Sequence, residues 1–264
     1  MKIGFIGCGN MGSAMIGGIL RKGLFTKDEI IVSNLTEAGS RRSRETLGVV
    51  TTLDNCQVVK EASTVVLAVK PQFYEEVLEE VRPFLTPGHT IIGIAPGKTL
   101  AWLEEKAGLP LKVIRFMPNT PAQVGEGMTA VCANEKVSAP ELDEILKITD
   151  SFGCTEVIPE RLMDAASAVS GCSPAYVFMF IEAMADAAVC QGMPRAQAYR
   201  FASQAVLGSA RMMLETGRHP GDLKDMVCSP SGTTIEGVRT LEKNGFRSAV
   251  FEALQAAAEK GKKL

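Results

Sequence analysis

Near the start of the chain, Gly7-Cys8-Gly9-Asn10-Met11-Gly12 sets three glycines at the spacing G-x-G-x-x-G. The residues before it, Lys2–Ile6, read as a short apolar strand, and those after it, Asn10–Lys22, carry a helical pattern. A strand that turns through such glycines into a helix gathers backbone N–H groups and the positive end of the helix dipole at one point. That point suits a pyrophosphate. Gly7 permits the tight turn, Gly9 lets phosphates approach the backbone, and Gly12 lets helix and strand pack closely. The chemistry expected is dinucleotide binding.

A dinucleotide site of the NAD type carries Asp or Glu at the end of its second strand, about 20 residues further on. Here the neutral pair Ser33-Asn34 stands at that point, with Arg41, Arg42 and Arg44 on the helix that follows. A neutral pair does not repel a 2′-phosphate, so NADPH is the expected cofactor and NADH the weaker alternative. Glu37 counts against that reading. Ala68-Val69-Lys70-Pro71 closes the strand candidate Thr64–Val69. Carboxyl ends of strands in open α/β sheets line the ligand crevice, which would put Lys70 beside the cofactor.

Three further loops carry polar groups at element ends. Arg115–Pro121 brackets Asn119 and Thr120 between two prolines. A loop that stiff and polar positions something. Ser170-Gly171-Cys172-Ser173-Pro174 and Cys228–Thr234 are small-residue turns that each open a helix. Their unpaired N–H groups suit a carboxylate, although an ordinary helix cap explains each as well.

The elements that must position these groups fall into two blocks. Strand candidates are Lys2–Ile6, Ile30–Ser33, Thr64–Val69, Thr90–Ile94, Lys112–Phe116 and Met128–Ala133. Between them lie helix candidates such as Asn10–Lys22, Gln72–Phe84, Leu100–Ala107 and Pro140–Phe152. Several strands are apolar throughout, as expected when both faces of a parallel sheet are covered. After Pro159 only helices are read: Glu160–Val169, Pro174–Gln191, Pro194–Thr216, Ser231–Asn244 and Phe246–Lys262. The fold class is therefore α/β, a Rossmann-type doubly wound sheet over residues 1–158, followed by an all-α domain over 159–264. The helix from Pro174 is apolar on nearly every side, which predicts burial, either at the centre of a compact bundle or, as the favoured reading, against another subunit in a homodimer or larger homo-oligomer.

Composition narrows the function classes. The 264 residues include 28 Lys+Arg and 30 Asp+Glu, a formal net charge of −2. That balance lacks the electrostatic pull of a general nucleic-acid binder, so no nucleic-acid partner is expected. Seven cysteines without a CxxC pair read as buried thiols of a reducing compartment, and with two histidines no metal site is expected. The apolar stretch Pro174–Cys190 contains Glu182 and Asp186 and falls short of the ~20 residues of a spanning helix, so no membrane segment is expected. The glycines of the N-terminal stretch fit the dinucleotide pattern better than a signal peptide, and the expected location is cytoplasmic.

In this order the segments MKIGFIGCGNMG, AVKP, RFMPNTP, VSGCSPAYVF and HPGDLKDMVCSPSGTTIEGV closely resemble the pyrroline-5-carboxylate reductase family, over essentially the whole chain. Two departures are visible. Ser231 replaces the first glycine of the family's usual Ser-Pro-Gly-Gly, and Pro96 stands where a second alanine is usual. The resemblance implies an NAD(P)H-dependent reductase of a cyclic imine that yields L-proline, with a helical domain that dimerises. Carried onto this chain, it implies cofactor contacts at Gly7, Cys8, Asn10, Met11 and the rest of the fingerprint, at Ser33, Asn34 and Asn55, at Ala68, Val69, Lys70 and Pro71, and at Ala95. It implies a substrate cradle of Ser229, Ser231, Gly232, Thr233 and Thr234, with Glu160 and Asn119 as neighbours. Thr234 takes the place of the threonine whose hydroxyl meets the ring nitrogen. A reductase of another cyclic imine, an enzyme like the 3-hydroxyacid dehydrogenases, or a dinucleotide-sensing dimer would share the same plan.

Overall fold

The structure, a computed structural model, describes residues 2–262. Among them, eight strands form one sheet: β1 (Ile3–Ile6), β2 (Ile30–Ser33), β3 (Val50–Thr52), β4 (Thr64–Leu67), β5 (Thr90–Gly93), β6 (Lys112–Met117), β7 (Gly127–Ala133) and β8 (Gly153–Val157). Interleaved with them are α1 (Asn10–Arg21), α2 (Glu37–Leu47), α3 (Asn55–Glu61), α4 (Tyr74–Val81), α5 (Leu100–Ala107) and α6 (Ala139–Asp150). The helical remainder comprises α7 (Met163–Ala166), α8 (Ser173–Cys190), α9 (Arg195–Thr216), α10 (Pro220–Val227), α11 (Thr233–Lys243) and α12 (Phe246–Gly261).

The strand order is β3-β2-β1-β4-β5-β6-β7-β8. The first six strands are parallel, and their 3-2-1-4-5-6 order reverses between β1 and β4, where a crevice opens at the carboxyl ends. The last two strands break the expected pattern. β7 pairs antiparallel with β6, and β8 runs parallel to β7. Alternate strand residues feed two cores: Phe5, Val32, Val66, Ile92 and Phe116 on one face, and Ile6, Ile31, Val65, Leu67 and Val113 on the other. A side chain of this kind, fully buried, contributes about 1.5–3 kcal/mol. The unbroken apolar runs are thus explained by a sheet covered on both sides.

The chain divides into two compact units, one of residues up to Cys172 with those from Ala257 on, the other Ser173–Ala256. The change from strands to helices falls near Pro159, but the first unit continues past it. Glu160 is bonded to Arg115 and Ser170 to Asn119, so the 160–172 segment is tied to the sheet. Two local expectations are corrected here. Ser170–Pro174, expected as a turn with free N–H groups, lies within continuous helix, its first part in the π-helical turn Ser167–Cys172, and the Ser170 hydroxyl donates to the Ala166 carbonyl at 2.8 Å. The helical run Glu160–Cys190 is 31 residues long and contains an 18-residue window with a mean hydropathy of 1.3, so by length and composition alone it could cross a bilayer, where only the shorter stretch Pro174–Cys190 was expected.

In the second unit, α8 and α9 pack on each other. Among the described residues of that unit, Ala185, Ala198 and Ala202 are the buried ones, whereas Phe178 and Met179 are 65% and 68% exposed. The cysteines also depart from expectation. All seven are free, but only Cys132 is buried, and Cys154 and Cys190 are exposed. Burial pushes the Cys132 thiol up to about 11, so that group is inert.

Candidate functional site

The glycine turn after β1 shows what each glycine does. Gly7 adopts φ +92°, and a Cβ there would lie 2.9 Å from the Ala68 carbonyl oxygen, so a side chain is excluded on two grounds. Its N–H donates to the Ser33 carbonyl at 3.0 Å, fixing the turn against β2. A Cβ at Gly12 would stand 3.1 Å from the Gly7 carbonyl oxygen, which keeps α1 tight against the turn. Around Gly9 nothing lies within 4 Å of a Cβ, and no side chain caps α1 there. The first-turn N–H groups of Asn10, Met11 and Gly12 therefore border open space of the kind a pyrophosphate fills, and the residues present fit a dinucleotide. Cys8 places its Sγ 3.3 Å from the Ser13 hydroxyl, inside the turn's own bonding.

At the end of β2, Ser33 and Asn34 are both buried. The Ser33 hydroxyl donates to Asn55 Oδ1 at 2.6 Å, and Asn55 Nδ2 donates to Glu80 at 2.7 Å, so the Asn55 amide is taken up on both sides. The Asn34 N–H donates to the Thr52 carbonyl at 3.1 Å, and its Oδ1 accepts from the Ser43 hydroxyl at 3.4 Å. Its Nδ2 is buried with no partner, an orphaned donor at the place where a dinucleotide's ribose end would lie. On α2, Arg44 donates to the Thr51 hydroxyl at 2.9 Å. Among the described residues, Arg41, Arg42 and Arg44 pair with no carboxylate, so their charge stays uncompensated.

At the carboxyl ends of β4 and β5, Ala68 and Val69 are half-buried, Lys70 is exposed, and Pro71 starts a short 3-10 turn. Ala95 is buried in the loop that leaves β5. One group there, Tyr74, was not singled out from the sequence, and another, Arg115, was named only as the start of the polar loop to Pro121 and lies instead within β6. Tyr74, fully buried on α4, donates its hydroxyl to the Leu67 carbonyl and accepts from the Ile94 N–H at 2.9 Å. Its burial holds the phenol pKa well above the usual value. Arg115 on β6, also buried, pairs with Glu160 at 2.7 Å, and the same Glu160 oxygen accepts the Leu100 N–H at 2.7 Å. Glu160 thus caps the start of α5 while neutralising a buried guanidinium. A cleft of about 430 Å³ opens beside this pair, lined in part by Gly97, Thr99, Arg161 and Asp164. Asn119 is buried and bonded at both ends of its amide, accepting from Met128 N–H at 2.8 Å and donating to the Ser170 carbonyl at 2.9 Å.

In the second unit, the turn before α11 is held by a bond from Gly232 N–H to the Ser229 carbonyl at 3.0 Å. Ser231 adopts φ +57°, the one non-glycine residue with positive φ among those described. A Cβ on Gly232 would fall 2.2 Å from Ser229 Oγ and 3.1 Å from the Ser229 carbonyl oxygen, so a side chain there would displace the Ser229 hydroxyl and press on the turn. Thr233 and Thr234 are the first two residues of α11, both exposed, and no side chain caps the helix at Gly232.

A Rossmann strand order, a glycine turn that fits a pyrophosphate and a separate helical unit define a nicotinamide-dependent oxidoreductase. Comparison with known proteins sharpens that class. Residues 160–264 match the family model described as pyrroline-5-carboxylate reductase dimerisation, and residues 2–97 match the one described as NADP oxidoreductase coenzyme F420-dependent. The pyrroline-5-carboxylate reductase of Escherichia coli K12 is 50% identical, with 100% of this chain and 98% of that protein covered. That of Methanosarcina acetivorans is 41% identical, with 100% and 97% covered. Among solved structures, the Plasmodium falciparum pyrroline carboxylate reductase with NADP bound superposes with a TM-score of 0.91 at 34% identity, covering 100% of this chain and 97% of that one. The chain belongs to the pyrroline-5-carboxylate reductase family: it is an NAD(P)H-dependent oxidoreductase that reduces a C=N bond.

Proposed function

We propose that this chain reduces the five-membered cyclic imine pyrroline-5-carboxylate to L-proline with NADPH in preference to NADH, as a homodimer or larger homo-oligomer of the cytoplasm. The observation that carries the cofactor reading is the end of β2. Neutral Ser33 and Asn34 replace an acid there, Asn34 Nδ2 is an orphaned donor, and α2 presents three unpaired arginines. Neither residue at the end of β2 carries a carboxylate to repel a 2′-phosphate. The seven free thiols suit a reducing compartment.

In this reading residues 1–158 hold the cofactor and 159–264 carry the dimer contacts and the substrate cradle. The turn Gly7–Gly12 takes the pyrophosphate on its N–H groups. Ala68–Pro71 and Ala95 border the nicotinamide end. The Gly232 N–H is taken up by the Ser229 carbonyl, which leaves the N–H groups of Ser231, Thr233 and Thr234 to hold the substrate carboxylate, and the Thr234 hydroxyl orients the ring nitrogen and keeps its proton in place. The nicotinamide, when bound, supplies a hydride. Because a protonated imine is already electrophilic, the residues of this chain act mainly by proximity and orientation, and no histidine or cysteine is required as acid or base. Glu160 and Asn119 act behind the site, through the buried Arg115 pair and the tie to Ser170.

The test is the loss of NADPH absorbance on adding pyrroline-5-carboxylate, repeated with NADH and with a small panel of other cyclic imines. A higher kcat/KM for NADPH and for this imine is expected. Asn34→Asp should shift the cofactor ratio toward NADH by roughly 10-fold, the scale of one like-charge contact near a surface. An unchanged ratio would remove the role given to Asn34.

A further inference from the structure

The ladder between β4 and β5 stops one bond early, and a side chain occupies the gap. Its phase is set by Thr90 N–H donating to the Ser63 carbonyl at 2.8 Å, with Thr64 paired to Thr90 and Leu67 to Gly93. In a parallel pair every second residue of one strand donates across, so the next bond in phase would run from Ile94 N–H to the Leu67 carbonyl. These two groups instead meet the same hydroxyl, that of Tyr74, which donates to Leu67 and accepts from Ile94. A bridging oxygen holds the pair roughly 1.5 Å further apart than a direct N–H···O bond would. The donor after Ile94 in the same phase is residue 96, a proline with no N–H, so the ladder cannot resume. The loop that follows is fastened at its far end as well, by Leu100 N–H to Glu160.

We propose that Tyr74 is a positioning residue whose hydroxyl, wedged into the β4–β5 ladder, sets the separation between the Ala68–Pro71 turn and the loop after β5, and with it the seat of the nicotinamide. The proposal rests on the reading of Ala68–Pro71 and Ala95 as cofactor contacts. The wedge is a polar atom in a position where an apolar side chain would let the strands close. A fully buried tyrosine of α4 needs partners for its hydroxyl, and the two it has are the groups from which both turns depart.

The experiment compares wild type, Tyr74→Phe, a protein with p-aminophenylalanine in place of Tyr74, and Ala95→Val. NADPH dissociation constants are read from the coenzyme's own fluorescence and steady-state constants from absorbance. In Tyr74→Phe the strands can close by one bond. NADPH Kd should then rise at least fivefold and kcat fall roughly 10-fold, a small displacement at the reacting centre being enough for that, while KM for the imine stays within twofold. The amide of Ile94 should exchange more slowly in that variant. Restoring a hydrogen-bonding group with p-aminophenylalanine should return Kd to within twofold of wild type. Wild-type Kd and kcat in Tyr74→Phe would overturn the proposal. If that variant does not fold, a fivefold loss with p-aminophenylalanine would overturn it instead, and wild-type binding there would support it. An unchanged Kd in Ala95→Val would show that the contact reading, and not the wedge, is at fault.

Discussion

The two units bury their apolar residues in opposite ways. In the first, strand side chains such as Phe5, Val66 and Phe116 are enclosed on one face of the sheet, and Ile6, Leu67 and Val113 on the other. In the second, only three alanines are buried, and phenylalanine, methionine and leucine side chains lie open along α8 and α9. A sheet with helices on both faces completes a core within one chain. A pair of long helices does not, and an apolar surface of this extent marks an interface. The first unit is finished as a single copy, and the second leaves open an apolar surface that the proposed dimer would cover.

The largest expected effect comes from breaking that asymmetry. Phe178→Asp with Met179→Asp puts two charges on exposed positions of α8 without touching Ala185, its one buried residue. Light scattering should show monomers, and reductase activity should be lost, while the first unit keeps its structure by circular dichroism. A wild type that is monomeric at micromolar concentration would end the argument. Ala185→Arg is a poorer test, because Ala185 is buried within its own chain.

A smaller effect is expected at Thr234, which the second unit presents on an exposed helix start. A hydrogen bond to a charged group contributes about 1.5–3 kcal/mol, so Thr234→Val should lower kcat/KM by roughly 10- to 150-fold. Thr234→Ser should keep most activity, and Thr233→Val serves as the control. Near wild-type kcat/KM in Thr234→Val, with normal NADPH binding, would reduce Thr234 to a capping residue. The smallest effect belongs to Ser231. Its left-handed backbone costs about 1–2 kcal/mol for a residue with a Cβ, partly offset by the greater freedom of glycine in the unfolded chain. Ser231→Gly should raise Tm by about 1–3 °C in calorimetry. A lower Tm would mean that the serine side chain holds the turn.

What could be read from the residues follows the range of the interactions. The glycine turn was legible because Gly7 and Gly12 answer constraints within a few residues or at the adjoining strand end. The strands with unbroken apolar runs were legible because the sheet is covered on both faces. β3 and β8 were not, since Val50 and Val157 are exposed and Gly153-Cys154-Thr155-Glu156-Val157 has no apolar run. Asn34 was flagged by its type and position, but its orphaned amide follows from the packing of Ser43 and Thr52 around it. Glu160 and Asn119 drew attention as polar groups near the site, whereas their bonds to Arg115 and Ser170 join residues 45 and 51 positions apart. Tyr74 left no trace, because a hydroxyl inserted between two strands has no spacing or composition that announces it.

The two exposed thiols offer a way to follow the molecule at work. Cys154 belongs to the first unit and Cys190 to the second, while the Cys132 thiol, with its pKa raised, should stay silent toward maleimides at neutral pH. A donor dye on one and an acceptor on the other would turn the distance between the units into an energy-transfer signal. Recorded during turnover, that signal would report any opening and closing of the enzyme in real time.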